Sequence, residues 1–257
     1  MRLGMIQGRL SEPIEGFQEC PKNWRIEFEK AETMGLSHVE WIVTQKSFSY
    51  NPIFFENVSE LPIHTICADN VVSDLIDNEH FLNHNLIPIC EAAMVNNIDY
   101  ITIPLLEDSS VEDLNKIKKF RNHFFKICKK YPSIKFSLET ELSLDKIPIL
   151  LDVDNVYLTY DTGNTTSYGV PHKDYIEKFV DRISNVHIKD RTFAGKTVIP
   201  TTGDTNFYKI FKLLISAGYT GPYTLQTARE DSKKEIQTIK KHANVIRSIY
   251  EECKKHF

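Results

Sequence analysis

The sequence predicts an α/β fold, a single (β/α)8 TIM barrel over residues 1–257, and three observations carry that expectation. The chain has 257 residues, and barrels of roughly 250 commonly form one domain. Short apolar runs alternate with longer amphipathic segments eight times, the pattern of parallel strands joined by crossover helices. Connections are unequal in length: helix-to-strand links are short and turn-like, whereas several strand-to-helix links are long. In such barrels the strand-to-helix loops build the active site.

The strand expected at 2–6 is followed by a long connection, 7–21, and a helix over 22–34 that closes on Met34-Gly35-Leu36-Ser37. Strand 38–42 leads to a weak helical pattern at 52–58, and strand 63–67 to a helix over 78–96. Strand 100–103 precedes a helix over 111–130, ended by Tyr131-Pro132-Ser133. Strand 134–138 precedes a helix over 143–151, and strand 156–160 one over 172–181. Strand 185–188 runs into the second long connection, 189–204, then a helix over 205–216 and the turn from Ala217 to Gly221. Strand 223–225 and a helix over 233–255 complete the set. An open doubly wound sheet is the alternative fold. It usually carries a glycine-rich phosphate turn, and the chain has no G-x-G-x-x-G or Walker sequence.

Composition narrows the function classes. Net charge is −4, from 31 basic and 35 acidic residues, which argues against a nucleic-acid partner, since that would show as a basic domain or stripe. The five cysteines (Cys20, Cys67, Cys90, Cys128, Cys253) are far apart and include no C-x-x-C pair, so buried reduced thiols are expected. The start, MRLGMIQGRL, lacks the apolar run of about 7–15 residues of a signal peptide. No stretch approaches the ~20 apolar residues of a membrane span. A cytoplasmic protein without a membrane partner is expected.

A barrel gathers the residues that end its strands into one ring. Here the predicted ends are polar: Gln7 and Arg9, Glu40, Asp69, Glu139 and Glu141, Asp161 and Asn164, His187 with Lys189, Asp190 and Arg191, then Gln226 and Arg229. Apolar strands that repeatedly stop on a charge suggest function, because an unpaired charge at a core margin is costly. Glu139, Asp161, His187 and Gln226 end four consecutive strands. Two carboxylates, an imidazole and an amide oxygen suit one divalent ion, Mn2+ first, with Mg2+ and Co2+ close behind. Zn2+ ranks lower, since it favours sites richer in sulfur and nitrogen. Taken singly, each residue has an ordinary structural explanation: a glutamate paired with a nearby base, or a hydrogen-bonded core histidine. Arg9, Lys189, Arg191 and Arg229 on the same rim favour an anionic substrate, the alternative being ion pairs with Glu40, Asp69, Glu141 and Asp190. Trp41 could stack on a sugar ring or wall the barrel, and the 189–204 loop could be a lid or a static loop.

The runs LGMIQGRLS, HVEWI, SLETE, YDTGN, VHIKDR, TGDTNF and YTLQTAR resemble the xylose isomerase-like TIM-barrel superfamily of sugar phosphate isomerases and epimerases, from Leu3 to about Arg229. The resemblance implies that the fifth-strand acid, the sixth-strand Asp, the seventh-strand His and an eighth-strand acid bind one metal; these map to Glu139, Asp161, His187 and Gln226. It also implies that the fifth- and eighth-strand acids move protons between neighbouring carbons of a small sugar, sugar phosphate or keto-sugar through an enediolate. Glu139 fits the role of base, with Lys189 and Arg191 as candidate assistants. The remaining rim residues, Gln7, Arg9, Glu40, Trp41, Asp69, Asn164 and Arg229, would contact substrate.

The sequence departs from the pattern at Gln226, whose amide cannot act as a base. A one-base isomerisation through Glu139 survives the change, and so does a dehydratase-type elimination. A non-catalytic sugar- or metal-binding barrel is the third reading. An endonuclease of the same architecture would need a histidine-rich cluster, and Asn164 stands where one of its histidines would be. A homo-oligomer is expected only by analogy at the fold level.

Overall fold

The computed structural model describes residues 1–13, 19–231 and 233–255. The connection predicted over 7–21 therefore lies partly outside the described residues. The strands are β1 Leu3–Ile6, β2 Val39–Ile42, β3 Ile63–Cys67, β4 Tyr100–Leu105, β5 Lys135–Thr140, β6 Val156–Asp161, β7 Ile183–Ile188 and β8 Tyr223–Leu225. They form a closed barrel in the order β1-β8-β7-β6-β5-β4-β3-β2. Registers such as Thr224 with His187 and Leu138 with Leu158 are parallel. The predicted (β/α)8 barrel is the observed fold.

Two compact units make up the chain: Met1–Val39 with Tyr160–Phe257, and Glu40–Thr159. The cuts fall inside β2 and β6. In the first unit, α1 Trp24–Thr33, α4 Thr162–Ser167, α5 His172–Phe179, α6 Phe207–Ser216 and α7 Glu235–Lys254 accompany the strands. In α6, Phe207, Ile210, Phe211 and Leu214 are buried, the i, i+3, i+4, i+7 stripe of a helix laid on a sheet. In the second unit, α2 Glu79–Val95 and α3 Leu114–Lys130 do the same. The Asp113 carboxylate caps α3 by accepting from the N–H groups of Asn115 and Lys116, orphan donors at any helix start.

Two expected helices are shorter than predicted. Over 143–151 only a 3-10 turn forms, Ile147–Ile149, and over 52–58 only Pro52–Phe54. Pro148 and Pro52 each sit in the first turn, where a missing N–H is tolerated, and the ring cannot extend a helix on its N-terminal side. Helix α4, absent from the expectation, opens directly on Asp161.

Strand alternation decides which side chains face the barrel interior. Phe136 packs on Phe124 of α3, Tyr160 on Tyr175 of α5, and Tyr223 on Phe211 and Tyr250. Their neighbours Ser137, Asp161 and Thr224 therefore face inward. With them go Glu139 and Gln226 two residues on, and His187, which pairs with Thr224. The interior is more polar than the Val, Ile and Leu layers typical of such barrels. His38 Nε2 lies 3.0 Å from Thr224 Oγ1, whose hydroxyl donates to Asn185. Gly4 makes this possible, since a Cβ there would collide with the His38 ring.

Candidate metal centre

Asp161 is placed by both elements that it joins. As the last residue of β6 it is buried, and as N-cap of α4 its Oδ1 accepts the Asn164 N–H at 2.7 Å. The next residue, Thr162, fastens α4 to the end of β7: its hydroxyl accepts the Lys189 N–H and donates to the Lys189 carbonyl at 2.7 Å. Gly163 permits the approach, because a Cβ there would be 3.0 Å from the Lys189 side chain. Asp161 Oδ2 is thereby held 2.8 Å from Lys189 Nζ and 3.9 Å from His187 Nδ1. All three side chains are at least nine-tenths buried.

Glu139, Asp161 and His187 each offer one ligand atom, and these atoms all lie within 4.8 Å of one another. Ligand bonds of about 2.0–2.2 Å put donor atoms roughly 3–4.4 Å apart round a shared ion, so a small contraction would complete the set. Two hard carboxylate oxygens and one imidazole nitrogen, buried together, have the chemistry of a divalent-metal site. Burial opposes the charged form of Asp161. The nearby Lys189 and His187, with hydrogen bonds from Lys189 and the Asn164 N–H, outweigh it and hold the carboxyl below its usual range. Gln226 is buried one residue beyond the paired Leu225. Its N–H donates to the Ile188 carbonyl at 3.0 Å, which continues the β8–β7 ladder past the strand end and fixes Gln226 at the rim.

The other predicted site residues divide into those brought near this group and those placed elsewhere. Lys189 and Asn164 join it, through the contacts above. Glu40 is buried on β2, two residues after the inward-facing His38, and Asp69 opens the 3-10 turn Asp69–Val71 after β3. Gln7 is buried just beyond β1. Trp41 is fully buried, takes the face opposite Glu40, and donates its indole N–H to Asn51, so it packs in the wall and is not offered to a sugar. Arg191 lies on a two-stranded ribbon, Asp190–Arg191 with Thr197–Val198, and its Nε donates to Thr197.

Arg9 and Arg229 belong to a brace under the first loop. Arg229 donates to the carbonyls of Gly8 and Ser11, and the Glu27 carboxylate accepts the N–H groups of Gly8 and Leu10. Arg9 is only 2% exposed. Burial, then Arg229, lowers its pKa to about 9, with Glu27 opposing, so it is still a cation at neutral pH. Both arginines line a cavity of about 130 Å3 whose walls include none of the metal-group residues. The charge of Glu27 acts on both arginines, opposing the lowering of their pKa values by burial.

The 189–204 connection is a braced ribbon. Asp190 accepts the N–H groups of Gly203 and Thr205, and Asp204 accepts that of Phe193. Thr162, Glu27 and Asp190 carry much of this positioning. Only the Asp-x-x-Asn spacing of 161–164, an N-cap signal, was available in the sequence to find any of it. All five cysteines are free and buried, as expected, and no helix among the described residues is long and apolar enough to cross a membrane.

A family model described as a xylose isomerase-like TIM barrel matches residues 129–249, a segment just short of half the chain that includes every residue of the metal group. The inosose dehydratase of Clostridium perfringens is 30% identical over a match covering 37% of this chain and 37% of that one; the match thus spans little more than a third of the relative. Among solved structures, the IOLI protein with a bound zinc atom superposes with a TM-score of 0.74 at 16% identity, over 97% of this chain and 99% of that one. D-psicose 3-epimerase from Clostridium cellulolyticum H10, solved with D-tagatose, gives 0.70 at 14% identity over 97% and 99%. At these identities the structures show a shared fold.

Proposed function

We propose that the chain removes a proton from the carbon beside a carbonyl of a small sugar-like substrate and returns it to the neighbouring carbon, isomerising that substrate. The buried group of Glu139, Asp161 and His187 at the ends of three successive strands carries this reading. These residues would hold one divalent ion, Mn2+ being the first to try, with the Gln226 amide oxygen as a neutral fourth ligand. Bound there, such an ion polarises a carbonyl and offsets negative charge as it develops on the oxygen.

Glu139 has two carboxylate oxygens, one for ligation and one to take the proton. The carbon's electron pair moves onto the carbonyl oxygen to give an enediolate, the proton of the adjacent hydroxyl passes to that oxygen, and Glu139 hands its proton to the former carbonyl carbon on the same face as the new carbonyl forms. Lys189, held on Asp161, is the ammonium best placed to stabilise that negative charge. General-base catalysis contributes typically ~10²–10⁴-fold in rate. Gln226 cannot supply a second base for the opposite face.

A lyase is the second reading, favoured by the inosose dehydratase match and by Gln226. It shares the first step and then loses a hydroxyl as water, with Lys189 as the acid. Incubation with D-tagatose and with an inosose in D2O separates the two. Deuterium incorporation without loss of water supports isomerase or epimerase, and loss of water supports the lyase. Glu139→Gln should lower exchange by at least ~10²-fold with the melting temperature little changed. Exchange at the wild-type rate in that variant would remove Glu139 from the mechanism.

A further inference from the structure

Helix α2 opens with a histidine pair that the proposed reaction does not use. The run His80-Phe81-Leu82-Asn83-His84 spaces two imidazoles four residues apart, about one helical turn, so both project from one face. Leu82 and Leu86 are the buried residues of this stretch, whereas His80 and His84 are exposed. The two rings lie nearly parallel, 18° between planes, with centroids 6.4 Å apart. The Phe48 ring stands 6.2 Å from that of His84 and is backed by Phe54 at 5.4 Å, so aromatic rings wall one side of the pair. Among the described residues, neither imidazole takes part in a hydrogen bond or an ion pair. The neighbouring Glu79 carboxylate is engaged elsewhere, with Lys126 Nζ at 2.6 Å and His123 Nδ1 at 3.3 Å.

Two imidazole nitrogens that share one ion at about 2.0–2.1 Å each stand roughly 3 Å apart. Rotation of two exposed side chains brings the stacked rings to that separation without disturbing the core. The i, i+4 spacing is the one by which a helix offers two histidines to a single metal. Imidazole suits Cu2+, Ni2+ and Zn2+, whereas Mn2+ and Mg2+ prefer oxygen ligands. We propose that His80 and His84 form a second metal site, a two-imidazole chelate for a borderline transition ion, with Cu2+ held most tightly. Two protein ligands leave the other coordination positions to water, so this ion exchanges readily and is lost on desalting. While bound, it ties the first turn of α2 to the second. The pair lies wholly within the unit Glu40–Thr159 and stands independently of the group formed by Glu139, Asp161 and His187.

The test is Ni2+ binding to the metal-stripped full chain by titration calorimetry, for wild type, His80→Gln, His84→Gln and Asp161→Asn. Both histidines are exposed, so either substitution leaves the packing of Leu82 and Leu86 intact. Wild type should show a Ni2+ site that each histidine variant weakens by at least about tenfold, because a lone imidazole lacks the second, effectively intramolecular ligand of the chelate. Asp161→Asn should retain that site at the wild-type affinity, which separates it from the buried group. Histidine variants that both titrate like wild type would overturn the proposal. Weakening in only one of them would overturn it too, since it marks contact with a single histidine and no chelate. So would the absence of any Ni2+ site in Asp161→Asn, which would assign all binding to the buried group.

Discussion

Asp161 Oδ2 meets Lys189 Nζ at 2.8 Å while Oδ1 accepts the Asn164 N–H at 2.7 Å, so one carboxylate serves an ion pair, a helix cap and a candidate metal group. Removing it would leave a buried ammonium without its counter-charge and α4 without its cap. Asp161→Ala should therefore lose about 3 kcal/mol of stability in urea unfolding of the metal-free protein. Asp161→Asn, which keeps an oxygen for the cap, should lose less; equal losses would mean that the cap contributes nothing and that the lost charge accounts for the whole effect. At this scale the polar strand ends were legible, because Glu139, Asp161 and His187 each stand at or next to the end of a predicted strand. The arginines were not. Glu27 reads as an ordinary acid of an amphipathic helix, and nothing in its spacing says that it turns inward to Gly8 and Leu10.

The elements show why the expected pattern held for strands better than for helices. Short strand segments such as 156–160, observed as Val156–Asp161, admit one reading in this context, whereas 143–151 mixes apolar periodicity with Pro148 and yields a single 3-10 turn. Helix α5 begins at His172, which ties it to its neighbours: Nδ1 lies 2.6 Å from the Tyr160 hydroxyl and Nε2 3.0 Å from that of Thr166. Burial, assisted by Lys209, lowers its pKa from 6.5 to about 4. The folded state thus resists protonation that the unfolded chain accepts. The contribution of neutral His172 is present above pH 6.5 and is lost as pH falls from there through about 4, by up to ~3 kcal/mol. Urea unfolding should show wild type losing more stability between pH 7 and pH 4.5 than His172→Gln. Equal losses would mean that His172 is not held neutral.

For the whole molecule, the division of the chain falls within strands: Val39 and Glu40 are neighbours in β2, and Thr159 and Tyr160 in β6. Each unit contains one of the two tryptophans, Trp24 in the first and Trp41 in the second. Strands shared by both units should make unfolding cooperative. The fluorescence midpoints of Trp24→Phe and Trp41→Phe, each compared with the circular-dichroism midpoint of the same variant, should coincide; separate midpoints would show two independently melting units. The alternation of eight apolar runs made the barrel readable from the sequence, while the chemistry depends on side chains that only the closed sheet brings together. The most direct test of that chemistry is elemental analysis of the purified protein, combined with a thermal-shift titration of stripped protein with Mn2+. The account predicts about one divalent ion per chain and a rise in melting temperature that Asp161→Asn abolishes. No ion, and no shift in wild type, would contradict it.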